Sequence, residues 1–306
     1  MTLRGFVDLC LRRLSPLYPE PEVKAIASRL LEHYLEIPSY KVVSEPDTDL
    51  SSVLSGLTGH LSRSGVAPDR EASLFAALDD LATGRPLQYV LGFTEFCGHR
   101  FKVREGCLIP RPETEELVSR IIDELIANDD PSVISGLTGN LEEPFNILDM
   151  GTGSGCIAWS LAAAFPEAMV YACDRSNDAL KIACKQRVKV GGAKPIFFWA
   201  DMLAAPPAGL PPFDVIISNP PYICDSERAA MRTNVLDFEP EEALFVPDDE
   251  PLVYYRAIAR WAEALLRPEG RIYLEINERF GPEVAALFPG SRVVPDLSGR
   301  DRFVIR

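Results

Sequence analysis

Apolar residues recur at helical spacing through the first quarter of the chain. Leu3, Phe6, Val7, Cys10, Leu11 and Leu14 form one stripe, and Val23, Ile26, Ala27, Leu30, Leu31 and Tyr34 form a second. Leu50, Val53, Leu54, Leu57 and Leu61 make a third. Leu74, Phe75, Leu78 and Leu81 make a fourth, which Gly84 stops at a C′ position. The spacing predicts a small helical bundle over residues 1–84. The period then shortens: residues 93–96 and 100–103 flank Cys97-Gly98-His99, which predicts a β-hairpin inside a linker of residues 85–108. Behind Pro110 and Pro112, Leu117, Val118, Ile121, Ile122 and Leu125 return to helical spacing, with acidic residues at the end where the helix dipole favours them. Residues 129–143 are polar and read as a surface loop.

From Pro144 onward strands and helices alternate, the pattern of a mainly parallel sheet covered on both faces. Strands are predicted to end at Ile147-Leu148 and to lie at residues 169–173, 196–199, 213–218, 271–276, 292–294 and 302–305, seven in all. Helices are predicted at residues 155–165, from an N-cap at Ser176 to about Val190 before Gly191-Gly192, and at residues 252–266. The α/β region thus spans residues 109–306.

A chain of 306 residues suits two domains, and 47% apolar with 25% charged residues is the composition of a soluble globular protein. The net charge of −14 disfavours a polyanionic partner, so neither DNA nor an anionic membrane is expected. Seven dispersed cysteines without a C-x-x-C pair point to a reducing, cytoplasmic setting. His33, His60 and His99 have no metal-ligand spacing, and no metal is expected. Arg4, Asp8, Arg12 and Arg13 interrupt any signal-peptide core. The apolar window at residues 155–173 is divided by Pro166-Glu167 and is too short on either side to span a bilayer.

Two constellations carry chemistry. Asp149-Met150-Gly151-Thr152-Gly153-Ser154-Gly155 follows a strand and precedes a helix, where glycines let backbone approach a ligand and the helix N-terminus offers free N–H groups. A ligand-free βα turn would show the same glycines. Asp174, at the tip of the next strand, suits the paired hydroxyls of a ribose. The second constellation is Asn219-Pro220-Pro221-Tyr222 at the end of the fourth strand. Its prolines stiffen the turn and leave carbonyls as acceptors, so an NH₂ group could donate to the Asn219 oxygen and to the Pro220 carbonyl. Tyr222 offers a flat face to a planar group. The exocyclic amine of a nucleobase and the side-chain amide of glutamine both fit that description.

The run from Gly151 to Gly155 lacks the third glycine of the dinucleotide fingerprint, since Cys156 stands there, and it resembles the loop of S-adenosylmethionine-dependent methyltransferases. On that template Asp201 and Met202 lie near the adenine, with the Met202 thioether where an aromatic residue is common. The resemblance narrows further along the chain. The stretch Gly84 to Gly92 (GRPLQYVLG), Glu95-Phe96, Gly98 and the stretch Leu108 to Glu115 (LIPRPETE) are similar to the linker of the peptide chain release factor N5-glutamine methyltransferases. Phe238-Glu239-Pro240, Ala243-Leu244, Tyr255-Arg256 and the stretch Asp296 to Arg302 (DLSGRDR) are similar to the catalytic region of that family, while Pro251 and the residues after Ile276 depart from it. The resemblance implies a seven-stranded, Rossmann-like class I methyltransferase domain behind a bundle that helps recognise the substrate. It also implies cofactor contacts from Gly151, Thr152, Gly153, Ser154, Gly155, Asp174, Asp201, Met202 and Asn219, catalysis by Asn219, Pro220 and Tyr222, and substrate binding by these three with Pro221. The implied partners are class 1 release factors carrying a Gly-Gly-Gln motif, met by a monomer. Nine acids against Arg228 and Arg232 in residues 225–251 read equally as a solvated loop or as a docking surface for a basic partner.

Overall fold

The computed structural model describes residues 1–52, 69–127 and 144–306, which divide into two compact units, 1–92 and 93–306. The first unit contains α1 (Leu3–Leu14), α2 (Glu20–Leu35), α3 (Ser39–Ser44), α4 (Arg70–Leu81) and α5 (Leu87–Leu91). Thr2 caps α1 by accepting the Gly5 N–H, and Asp69 caps α4 by accepting the Ala72 N–H. The predicted stripes become the core, in which Phe6, Leu14, Leu30, Leu31, Leu74 and Leu78 are wholly buried. Of the third stripe, Leu50 is buried, while Val53, Leu54, Leu57 and Leu61 lie outside the described residues, as do residues 129–143. The division between the two units falls within the segment 85–108. Its helix α5 belongs to the first unit and its hairpin to the second.

In the second unit, β1 (Phe93–Phe96) and β2 (His99–Lys102) pair antiparallel through a two-residue turn, one residue tighter than expected. Cys97 and Gly98 both adopt positive φ, which matches the strand twist. Helix α6 (Pro112–Ala127) then leads toward the main sheet, which comprises β3 (Asn146–Met150), β4 (Met169–Asp174), β5 (Ile196–Trp199), β6 (Phe213–Ser218), β9 (Leu266–Glu275), β10 (Arg292–Pro295) and β11 (Asp301–Ile305). The order across the sheet is β10-β11-β9-β6-β3-β4-β5, with β11 antiparallel to both β10 and β9 and the remaining pairs parallel. A two-stranded pair, β7 (Ile223–Cys224) with β8 (Phe245–Val246), follows β6. Ile147, Val215, Ile217 and Tyr273 pack on one face with α6 and α7 (Cys156–Ala164), and Leu148, Ile216, Ile272 and Leu274 pack on the other with α9 (Val253–Leu265). Both faces being covered explains why β3 is buried at every position.

Two boundaries differ from the sequence pattern. The helix α8 (Asn177–Ala183), capped by Ser176, ends seven residues before Val190. The Ala183 carbonyl is taken by the Trp159 indole N–H, and the Gln186 side chain instead bridges the Lys102 backbone and the Ser154 carbonyl. The strand β9 begins at Leu266, ahead of Pro268-Glu269-Gly270, because Leu266 pairs with Phe213 before a register shift brings Arg271 opposite Val215. Among the described residues no helix is long and apolar enough to cross a membrane.

Candidate active site

Strands β3 and β6 are parallel neighbours from which the chain departs in opposite directions, to β4 and β5 on one side and to β9 on the other. The loops leaving their carboxyl ends therefore open a crevice at a topological switch point. In the first loop, the Gly151 and Thr152 N–H groups both donate to the Cys173 carbonyl at 2.9 Å, and the Gly153 N–H donates to Asp174 Oδ2 at 2.8 Å. Gly151 and Gly153 hold φ of 75° and 55°, a region that side chains rarely enter. A Cβ on Gly151 would sit 3.1 Å from Met202 Cε. The loop is thus a backbone cradle held by the carbonyl and the carboxylate at the tip of β4.

The second loop is tied down at both ends. Ser218 Oγ donates to the Met150 carbonyl at 2.6 Å, joining the two strand ends. Asn219 Nδ2 donates to Thr114 Oγ1 at 2.8 Å, and Thr114 Oγ1 donates to Glu275 Oε2 at 2.7 Å. Tyr222 Oη donates to the other carboxyl oxygen of Glu275 at 2.9 Å. Asn277 Nδ2 donates to the Tyr222 carbonyl at 3.1 Å and to Glu227 at 2.9 Å. Burial pushes the Glu275 carboxyl upward, opposed by the two hydroxyl donors and by the Arg302 charge. Burial and the neighbouring Glu275 push the Tyr222 phenol far above its ordinary range, which keeps it a donor.

Residues 106–111 cover the crevice and are anchored by one buried carboxylate. Glu239 accepts the Ile109 N–H at 3.0 Å and an Arg111 guanidinium N–H at 2.7 Å. Two more acids of residues 225–251 turn inward or pair locally: Glu227 accepts the Cys224 N–H, and Glu241 pairs with Arg228 at 2.6 Å. Part of the acidity that reads as a uniform surface is therefore structural.

The resulting cleft holds roughly 890 Å³ counting its open mouth, the size of a small-molecule site. Gly151, Thr152, Gly153, Ser154, Asp174, Met202, Asn219 and Pro221 line it. Gly155, Asp201, Pro220 and Tyr222 do not. Gly155 packs against Ala183, Trp159 and Phe197, and the Asp201 carboxylate accepts the Leu203 N–H of its own turn. Tyr222 enters through its bond to Glu275. Arg111 and Thr114, which the sequence shows only as part of the LIPRPETE stretch with no role of their own, and Tyr254, which it does not single out, also line the cleft. Glu275, Glu239 and Asn277 hold its walls from behind; a buried acid at the end of a strand, such as Glu275, is the signal that could have found one of them.

A nucleoside-bearing methyl donor fits these residues. The Asp174 carboxylate sits at the glycine cradle with lone pairs to spare beyond its bonds to the Gly153 and Ser176 N–H groups, as a vicinal diol requires. Ile157, Ala200, Met202 and Tyr254 supply an apolar wall for a planar base.

Asp149, at the end of β3, lies wholly buried beneath the cradle, accepting from Thr152 Oγ1 at 2.6 Å and from the Ala158 N–H at 3.2 Å. Burial pushes its carboxyl up to about 7, partly offset by those two donors. The fold favours its protonated form, so this contribution to stability is complete below the unfolded value near 4 and is lost as pH rises through about 7. Asp149→Asn is expected to flatten the dependence. Urea midpoints at pH 5 and pH 8 check this, and an unchanged pH dependence in the variant would refute it.

A family model described as the methyltransferase small domain matches residues 134–237. The release factor glutamine methyltransferase of Bacteroides thetaiotaomicron is 37% identical over 95% of this chain and 95% of its own. The protein of the same name from Flavobacterium psychrophilum is 35% identical over 99% of this chain and 98% of its own, and that from Deinococcus radiodurans is 34% identical over 99% and 98%. With the glycine cradle at β3, the Asn-Pro-Pro-Tyr loop at β6 and this similarity along nearly its whole length, the chain belongs to the release factor glutamine methyltransferase family.

Proposed function

We propose that this protein transfers a methyl group from S-adenosyl-L-methionine to the side-chain amide nitrogen of the glutamine in the Gly-Gly-Gln motif of class 1 peptide chain release factors. The observation that carries the reading is the Asn219 side chain, whose nitrogen is tied to Thr114 and whose oxygen is thereby left to accept from a substrate NH₂. The donor, when bound, supplies an electrophilic sulfonium methyl.

An amide nitrogen is a poor nucleophile because its lone pair is delocalised into the carbonyl. Asn219 Oδ1 at the cleft wall and the carbonyl of Pro220, which is outside the lining but between the lining residues Asn219 and Pro221, are assigned one of its hydrogens each, which leaves the lone pair directed into the cleft. Much of the rate then comes from holding that geometry. As the nitrogen gains positive charge its N–H groups become stronger donors, so the same two acceptors bind the transition state better than the ground state. No side chain acts as a base before transfer: as the N–CH₃ bond forms and the S–CH₃ bond breaks, S-adenosyl-L-homocysteine leaves, and the N-methylated amide cation is acidic enough to lose its proton to water. Tyr222 stiffens the loop from behind through Glu275. No step of this scheme calls on a metal.

The first experiment is transfer of labelled methyl to an intact release factor, to its Gly-Gly-Ala variant and to duplex DNA. Label on the intact factor alone is expected. Label on DNA would overturn the substrate assignment. The first unit is assigned to capture of the multi-domain factor, in the cytoplasm, by a monomer. Removal of residues 1–84 is then expected to raise KM for the factor more than Kd for the donor; equal loss of both would sink that assignment.

A further inference from the structure

Thr114 lies 105 residues before Asn219 in the chain, on α6, and Glu275 lies 161 residues beyond Thr114, at the end of β9. The three meet as a single hydrogen-bonded file behind the second loop. A hydroxyl has one proton, and that of Thr114 is committed to Glu275 Oε2. Thr114 Oγ1 can therefore only accept on its other side, and what it accepts is the Asn219 NH₂. An Asn side chain is nearly symmetric in shape, and only its partners decide which way its oxygen points. Glu275 is itself held on both oxygens, by Thr114 and by Tyr222, and its backbone carbonyl accepts the Tyr255 hydroxyl at 3.1 Å. The carboxylate is 1% exposed and fixed in place.

We infer that Thr114 and Glu275 are positioning residues, whose one-way hydrogen bonds hold the Asn219 amide with its oxygen facing the substrate NH₂. Reversal of this file would present the Asn219 NH₂ to the substrate NH₂, donor against donor, and the amide would lose one of the two acceptors that aim its lone pair. The inference rests on the functional reading above and adds to it the reason Asn219 points the right way.

The test compares wild type, Thr114→Val, Thr114→Ala and Thr114→Ser as full-length chains, with an intact release factor as methyl acceptor. Valine keeps the shape of threonine and removes the hydroxyl, while serine keeps the hydroxyl and loses the methyl. Thr114→Val and Thr114→Ala are expected to lower kcat about tenfold or more, with KM for the factor and Kd for the donor changing less than about threefold. Thr114→Ser is expected to recover most of the lost kcat. Thermal melting identifies a variant that has failed to fold, and alanine stands in for valine in that case. Undiminished kcat in Thr114→Val, or a serine variant as impaired as valine, would overturn the inference while leaving the functional reading intact. A wild-type chain that binds donor but leaves the factor unlabelled overturns the functional reading and this inference with it.

Discussion

Asn219→Ala is expected to lower methyl transfer to a release factor by about 100- to 1,000-fold, with donor affinity changed by no more than a few-fold. The size follows from what the side chain does. It accepts from the reacting nitrogen as charge develops there, so its contribution is felt in the transition state far more than in binding. The stiffness of the site makes the loss hard to recover. Asn219 hangs from Thr114, and the loop beyond it is pinned through Tyr222 to Glu275 and through its backbone to Asn277, so no neighbouring group can swing in as a substitute acceptor. Single-turnover labelling together with calorimetric titration of the donor separates the two quantities. A tenfold fall in donor affinity with transfer intact at saturation would move Asn219 from the substrate to the donor.

The glycine cradle is expected to divide sharply under alanine substitution. Gly155→Ala should destabilise the fold by about 2–4 kcal/mol, the combined scale of a left-handed non-glycine residue and an overpacked core. Its φ is 80°, and the new Cβ would lie 3.0 Å from Ala183 Cβ, 3.1 Å from the Trp159 ring and 3.2 Å from Phe197. These neighbours cannot retreat cheaply, since the Trp159 indole is hydrogen-bonded to the Ala183 carbonyl. Gly153→Ala carries the left-handed penalty too, about 1–2 kcal/mol at its φ of 55°, but it meets no atom closer than Cys107 Sγ at 3.9 Å, so no overpacking adds to it. That residue lines the cleft, so its methyl group should weaken donor binding more than it affects folding. Denaturant midpoints and donor titrations on the two variants check the contrast. Equal effects of both substitutions on both quantities would mean that the loop responds as one unit.

Periodicity was sufficient for α1, α2 and α4, though not for the short α3 and α5, and local pattern was sufficient for the alternation after Pro144 and for the glycine and Asn-Pro-Pro-Tyr loops. Each of these depends on neighbours within a few residues, where backbone geometry imposes 3.6- and 2-residue repeats on which side chains can share a face. The same locality explains the errors. Pro268-Glu269-Gly270 carries every local mark of a turn, yet β9 runs through it because Phe213 on another strand pairs with Leu266. Helix α8 stops at Ala183, where the Lys185 and Gln186 N–H groups tighten onto the Ile182 and Ala183 carbonyls and the Gln186 side chain turns to Lys102 and Ser154 on other elements. The acids of residues 225–251 gave no sign of which would turn inward; Glu239 does so to hold Ile109 and Arg111, 130 and 128 residues away. Asn277, which departs from the family pattern, proves to clamp the Tyr222 carbonyl. Motif and period thus specify which groups can do the chemistry, because those properties are written in adjacent residues. Which way Asn219 faces, what Glu275 holds and where Gly155 points are decided by side chains more than a hundred residues apart, or on different elements, that meet only when the sheet closes.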